Sequence, residues 1–216
     1  MLLAAGLGMR LRPLTETIPK PLLPVGAHSI LGWNLLLLKR HGITEVLINL
    51  HYKGEQIVEA LGDGSRYGMR VAYSHEPTIL GTGGGIKQAE PFLKGAPFVV
   101  LNGDTLSDCD LTEMITAHSA AHRLHGSPAT LALREDPDAA RWGELTLDAE
   151  SRILQIKGAP PLQTADPPGP PCMFAGIHVM EPSVLDEIPA GPGSIIDVYV
   201  HVLREGRHLH GYRIQG

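Results

Sequence analysis

The chain has 216 residues, 43% of them apolar and 19% charged, and its 18 Lys and Arg against 23 Asp and Glu leave a net charge of −5. On a prior of about 150 residues per domain this is one large domain or a domain and a half, long enough to bury a core without staples and too apolar for wholesale disorder. The acidic balance argues against a nucleic-acid-coating protein. Two cysteines, Cys109 and Cys172, cannot build a disulfide framework and fit a reducing compartment, and no apolar run approaches the roughly 20 residues that cross a bilayer.

The chain opens Met1-Leu2-Leu3-Ala4-Ala5-Gly6. With no basic segment before a long apolar stretch, this reads as a short buried strand entering a glycine loop, not as a signal peptide. Ser29 to His41 is a predicted helix, with Ser29 as N-cap and Gly42 as stop. Strands are expected at Glu45–Leu50, Arg70–Tyr73 and Pro97–Asn102, and helices at Glu55–Leu61, Gly84–Leu93 and Leu111–His122. Near-continuous apolar strands alternating with helices imply a mainly parallel sheet covered on both faces. Beyond residue 125 the pattern changes to strands at Thr130–Arg134, Glu144–Leu147, Ile153–Lys157 and Phe174–Val179, with a Pro-rich loop over Gly158–Pro171. Helices at Glu181–Ile188 and Ile195–Arg204 precede a last alternating strand at His208–Ile214. No repeat recurs at solenoid periods.

The chemistry concentrates after the first strand, in Gly6-Leu7-Gly8-Met9-Arg10-Leu11-Arg12-Pro13-Leu14-Thr15 and then Pro19-Lys20-Pro21-Leu22-Leu23-Pro24-Val25. Glycines there let backbone N–H groups face an anion, and Arg10 and Lys20 supply the two cations a polyphosphate needs. A dinucleotide fingerprint fails, because Leu11 stands where a third small residue belongs and Gly26 to His28 where an acid should follow. That failure excludes a nicotinamide-dependent oxidoreductase. A P-loop fails as well, since Lys20 lies between two prolines.

The loop, together with Leu80-Gly81-Thr82-Gly83-Gly84-Gly85, Asn102-Gly103-Asp104, Trp142-Gly143-Glu144 and Phe174-Ala175-Gly176-Ile177, resembles the sugar-1-phosphate nucleotidyltransferases in order and spacing over essentially the whole chain. The stretch Leu61-Gly62-Asp63-Gly64-Ser65-Arg66-Tyr67-Gly68 is similar to one shared by short bacterial mannose-1-phosphate guanylyltransferases and N-acetylmuramate-1-phosphate uridylyltransferases. The resemblance implies a three-layer α/β/α Rossmann-like nucleotidyltransferase fold with a mainly parallel central mixed sheet. It would be one domain with a nucleotide-binding half (1–125) and a sugar-phosphate-binding half (126–216).

It also implies roles. Leu3, Ala5, Gly6, Gly8, Gly81, Thr82, Gly83 and Asn102 would hold the nucleotide, Arg10 and Lys20 its phosphates, and Asp104 a Mg²⁺ ion. Gly143, Glu144, Lys157 and Gly176 would line the sugar-phosphate site. The implied enzyme is cytoplasmic, uses an NTP and a sugar 1-phosphate without nucleic acid or membrane, forms a possible homodimer, and supplies nucleotide sugars for cell-envelope polysaccharide. GTP with mannose 1-phosphate is the first expectation, and UTP with an N-acetylated sugar phosphate the alternative. A non-catalytic sugar-nucleotide-binding regulatory subunit is the alternative of another class.

Two departures bear on these expectations. The sugar-binding Glu of a Glu-Lys-Pro motif is replaced by Ile156 before Lys157, which tilts towards the muramate-type relatives. The family's second metal-binding Asp would fall beyond Gly216, so a longer gene product is expected. Asp197, inside the last helix, is a poor substitute. Asp110 reads as the N-cap before Leu111 and Asp108 as a loop residue. His118 and His122, four apart, are expected on a solvated helix face, His208 and His210 exposed on the last strand, and Cys109 as a small packing residue.

Overall fold

The computed structural model describes residues 1–162 and 169–214. The chain divides into two compact units, one of Met1–Leu93, Val100–Asp108 and Pro189–Gly193, the other of Lys94–Val99, Cys109–Ile188 and Ser194–Gly216.

The first unit runs β1 (Leu2–Leu3), a ribbon of β2 (Pro24–Val25) and β3 (His28–Ser29), α1 (Ile30–Arg40), β4 (Glu45–Leu50), α2 (Gly54–Leu61), β5 (Arg70–His75), α3 (Gly81–Gln88), α4 (Glu90–Leu93) and the carboxyl end of β6 (Phe98–Asn102). Its sheet order is β6-β1-β4-β5, parallel throughout. Val46 to Leu50 are all buried, as a central parallel strand covered on both faces requires. The register sets Leu3 beside both Asn49 and Asn102, which aligns the carboxyl ends of β1, β4 and β6. Helix α1 starts where predicted: the Ser29 hydroxyl accepts from the Gly32 N–H at 3.1 Å, and Leu31, Leu35 and Leu38 form the buried stripe.

The second unit contains α5 (Leu111–His125), β7 (Ala129–Glu135), β8 (Glu144–Leu147), β9 (Ile153–Ile156), β10 (Cys172–Met180), α6 (Val184–Glu187), α7 (Ile195–Arg204) and β11 (His210–Arg213). Its order is β11-β7-β10-β8-β9, with β11 parallel to β7 and the other pairings antiparallel. Asp110 caps α5, its Oδ1 accepting from the Glu113 N–H at 2.9 Å, and Cys109 is buried beside it. Helix α7 has the predicted bounds, and Asp197 lies on its exposed face. Among the described residues no helix is long and apolar enough to cross a membrane.

Several expectations are corrected. The expected helix over Glu181–Ile188 shrinks to Val184–Glu187, and α5 extends past His122 to His125 before Gly126 stops it. Helix α3 begins at Gly81 rather than Gly84, because its first turn docks on the Gly191–Gly193 segment. Of the Pro-rich loop, residues 163–168 lie outside the described residues.

The histidines differ most. His118 is 1% exposed: α5 turns it onto β7, where Nδ1 lies 3.0 Å from Thr130 Oγ1 and Nε2 donates to Glu181 Oε1 at 3.1 Å. Both ring nitrogens are bonded within the fold, so the residue is structural. His208 and His210 are half-buried, because His208 stacks against His125 at 4.7 Å and against His210 at 6.0 Å.

Candidate active site

The first unit encloses a cavity of about 230 Å³ at the carboxyl ends of its parallel strands, the place where open α/β sheets take ligands. One wall is the end of β1 and the turn after it, Leu3, Ala4, Ala5, Gly6 and Gly8. Asn49 comes from β4, Asn102 from the end of β6, and Asp104 from the turn that follows. Lys20 and Pro21 enter from a 3₁₀ turn over Lys20–Leu22. Ile79, Gly81 and Thr82 bring the start of α3, whose N-terminal dipole favours a bound anion.

Hydrogen bonds fix each part. Gly8 adopts a left-handed conformation (φ 63°), and its carbonyl accepts from the buried Thr15 hydroxyl at 2.8 Å, which ties the turn down. The Gly103 N–H donates to the Leu3 carbonyl at 2.9 Å and so sets Asp104 beside the end of β1. The Lys20 ammonium then donates to Asp104 Oδ2 at 2.7 Å. Lys20 and Asp104 are 84 positions apart in sequence, and their side chains remain 25% and 38% exposed, open to exchange of partners.

A buried polar relay, invisible in the sequence alone, holds the other wall. Asn49 Oδ1 accepts from the Ala4 N–H at 2.8 Å, and Asn49 Nδ2 donates to Glu76 Oε1 at 2.7 Å. Glu76 Oε2 accepts from the Leu80 N–H at 2.9 Å. Asn49 and Glu76 are 2% and 3% exposed, so the carboxylate locks the turn after β1 to the start of α3. The one signal in the sequence is a lone polar side chain near the carboxyl end of an otherwise apolar strand.

Nine expected nucleotide-site residues therefore share one cavity: Leu3, Ala5, Gly6, Gly8 and Lys20 from the first 20 positions, and Gly81, Thr82, Asn102 and Asp104 from later ones. Two do not line it. Arg10 stands exposed on a 3₁₀ turn over Met9–Leu11. Gly83 is buried, and its N–H donates to the Gly193 carbonyl at 2.9 Å.

The second unit has its own cavity of about 520 Å³, walled by Arg141, Trp142, Gly143, Glu144, Lys157 and Gly158. The Lys157 N–H donates to the Glu144 carbonyl at 2.7 Å, and the lysine stem runs so close beneath Gly143 that a Cβ there would meet its Cε at 2.6 Å. Gly143, Glu144 and Lys157 thus share one cavity wall. Gly176 does not join them: it lies in β10 (φ 78°), inside the register shift between Phe174 and His178.

Among the described residues Asp104 is the first cavity's only carboxylate, and no cluster of three or more His, Cys, Asp or Glu suits a metal. Such a site fits a small hard cation that takes one protein carboxylate and completes its shell with water and phosphate oxygens, as Mg²⁺ does.

The profile of the nucleotidyl transferase family matches residues 1–209. The N-acetylmuramate alpha-1-phosphate uridylyltransferase of Neisseria meningitidis serogroup B is 43% identical over 194 residues, covering 88% of this chain and 78% of the relative. The mannose-1-phosphate guanylyltransferase of Mycobacterium tuberculosis is 34% identical, covering 98% of this chain and 57% of that relative, so the chain spans little more than half of it. A Bacillus anthracis structure assigned as a glucose-1-phosphate thymidylyltransferase superposes with a TM-score of 0.83 at 23% identity, over 100% of this chain and 86% of that one, which shows the mixed, mainly parallel α/β fold. With the turn after β1, Lys20 and Asp104 gathered around one cavity, and with the family profile spanning nearly its whole length, the chain belongs to the nucleotidyl transferase family, among the sugar-1-phosphate nucleotidyltransferases.

Proposed function

We propose that the protein transfers a nucleoside monophosphate from an NTP to a sugar 1-phosphate, with UTP and N-acetylmuramate 1-phosphate as the substrates. The observation that carries the transfer reaction is the single cavity uniting a glycine turn, a helix N-terminus, Lys20 and Asp104. The choice of substrates is supported by the 43% identity to the Neisseria relative and by Ile156 in place of the sugar-binding Glu. GTP with mannose 1-phosphate is the second reading, supported by the mycobacterial relative.

In this reaction a phosphate oxygen of the sugar 1-phosphate attacks the α-phosphorus of the NTP. A new P–O bond forms as the bond to the bridging oxygen breaks, and its electron pair leaves with pyrophosphate. The protein's task is alignment and neutralisation of two anions. The turn after β1 and the start of α3 present N–H groups and a positive dipole end to the triphosphate. Lys20 exchanges Asp104 for phosphate oxygens, and the Asn49–Glu76 relay keeps the two walls in register. A Mg²⁺ ion at Asp104 would neutralise phosphate oxygens on the NTP. Arg10, exposed on its turn, would reach the departing pyrophosphate, while Glu144 and Lys157 would receive the sugar phosphate.

The test is pyrophosphate release across UTP, GTP, dTTP and CTP against a set of sugar 1-phosphates, with and without Mg²⁺. Release with UTP and N-acetylmuramate 1-phosphate that requires Mg²⁺ is expected. Saturable nucleotide binding without release in any combination would mark the protein as a sugar-nucleotide sensor instead.

A further inference from the structure

The second unit's cavity brings two cations together at one wall. Lys157 enters it from the turn after β9 and Arg141 from a 3₁₀ turn over Ala139–Arg141, and neither forms an ion pair among the described residues. Glu144 is the only acid among the described residues of its wall. A phosphate monoester is nearly a dianion at neutral pH, which the Lys157 ammonium neutralises in part, and the planar guanidinium fork of Arg141 suits a carboxylate as well as a phosphate.

Arg141 is also steadied. Its guanidinium carbon sits over the Trp142 ring at 5.9 Å from the centroid. Trp142 is 55% exposed, a large aromatic surface left open to water at the wall of a charged cavity. The C–H face of a sugar ring is the complement to such a surface. The cavity, at about 520 Å³, lies within the range that small-ligand pockets occupy.

We infer that Arg141 and Trp142 are specificity residues for a sugar 1-phosphate bearing a carboxylate on a ring substituent: Trp142 takes the apolar face of the sugar, Arg141 the carboxylate, and Lys157 the phosphate. This rests on the reading of the protein as a sugar-1-phosphate nucleotidyltransferase. N-Acetylmuramate 1-phosphate has such a carboxylate on its lactyl ether, and N-acetylglucosamine 1-phosphate is the same sugar phosphate with a hydroxyl in place of the whole lactyl ether.

The experiment compares kcat/KM for these two sugar phosphates with UTP, in the wild-type protein and in Arg141→Gln and Arg141→Lys. Removing one charge-assisted hydrogen bond from a partly exposed site corresponds to about a tenfold effect. Arg141→Gln should therefore lower kcat/KM for the muramate substrate about tenfold, through KM, and leave the glucosamine substrate within about twofold. Arg141→Lys, which keeps the charge but not the fork, should recover part of the loss. Equal losses on both substrates, or none on the muramate substrate, overturn the assignment while leaving the enzyme reading intact. Wild-type turnover confined to sugar phosphates without a carboxylate does the same. No pyrophosphate release from wild-type protein with any NTP and sugar phosphate overturns the enzyme reading itself.

Discussion

Lys20 has one partner in the cavity wall, Asp104 Oδ2 at 2.7 Å, and both side chains are partly open to solvent. Half-exposed ion pairs add little to stability, so this pair's value lies in what replaces it when an anion arrives. Replacing Lys20 with Gln should lower kcat/KM for pyrophosphate release by about 10²–10³-fold, the scale of losing one fixed donor to a developing charge, with the melting temperature nearly unchanged. A variant with wild-type turnover would remove Lys20 from the reaction. Lys20 was legible as a cation close to a glycine turn, and Asp104 through the resemblance carried by Asn102-Gly103-Asp104. Asn49 and Glu76 were not. Each follows or sits in an apolar strand, and only the register that sets Leu3 beside Asn49 turns the pair into a relay. His118 was misread for a similar reason: its partners, Thr130 and Glu181, come from other segments.

At the scale of elements, the strand Glu45–Leu50, buried on both faces, and the helix Ile195–Arg204, buried along one, coincide with their expected bounds, because burial alone decides them. Helix α3 does not follow that logic. Gly81-Thr82-Gly83-Gly84-Gly85-Ile86-Lys87-Gln88 carries four glycines, each of which weakens an isolated helix by about 0.8–1 kcal/mol relative to Ala. The helix forms because its backbone packs closely against neighbouring backbone and side chains. A Cβ on Gly84 would meet the Gly191 carbonyl oxygen at 2.3 Å, and one on Gly85 would meet Asn49 Nδ2 and Glu76 Oε1, both at 2.7 Å. Propensity alone would therefore favour Gly84→Ala, whereas packing opposes it. The prediction is that Gly84→Ala destabilises the protein by about 1–3 kcal/mol in urea unfolding, as overpacking does, and raises the KM for NTP because the cavity wall shifts. A stabilised variant would contradict this account of the helix.

At the scale of the whole molecule, four histidines resist protonation. Burial holds His178 at about 3, where its Nδ1 accepts from the Tyr199 hydroxyl, and burial with neighbouring His125, His210 and Arg152 holds His208 at about 4. Burial also lowers His118 and His210. A histidine lowered in the fold binds fewer protons than in the unfolded chain, so its stabilising contribution is complete above the ordinary value near 6.5 and declines as pH falls below it. The melting temperature should therefore drop steadily from pH 6.5 towards pH 4, with the fully enclosed His178 contributing up to about 1.4 kcal/mol per pH unit. A flat profile over that interval would show that these rings are not held neutral. The central claim concerns the ligand: the turn after β1, Lys20 and Asp104 serve one triphosphate. It is tested most directly by a crystal structure of the protein with UTP and Mg²⁺. The account predicts phosphates against the backbone of Gly6 to Gly8, with Lys20 Nζ about 3 Å from a phosphate oxygen and Asp104 in the metal's shell. A triphosphate bound elsewhere, with the Lys20–Asp104 pair intact, would contradict it.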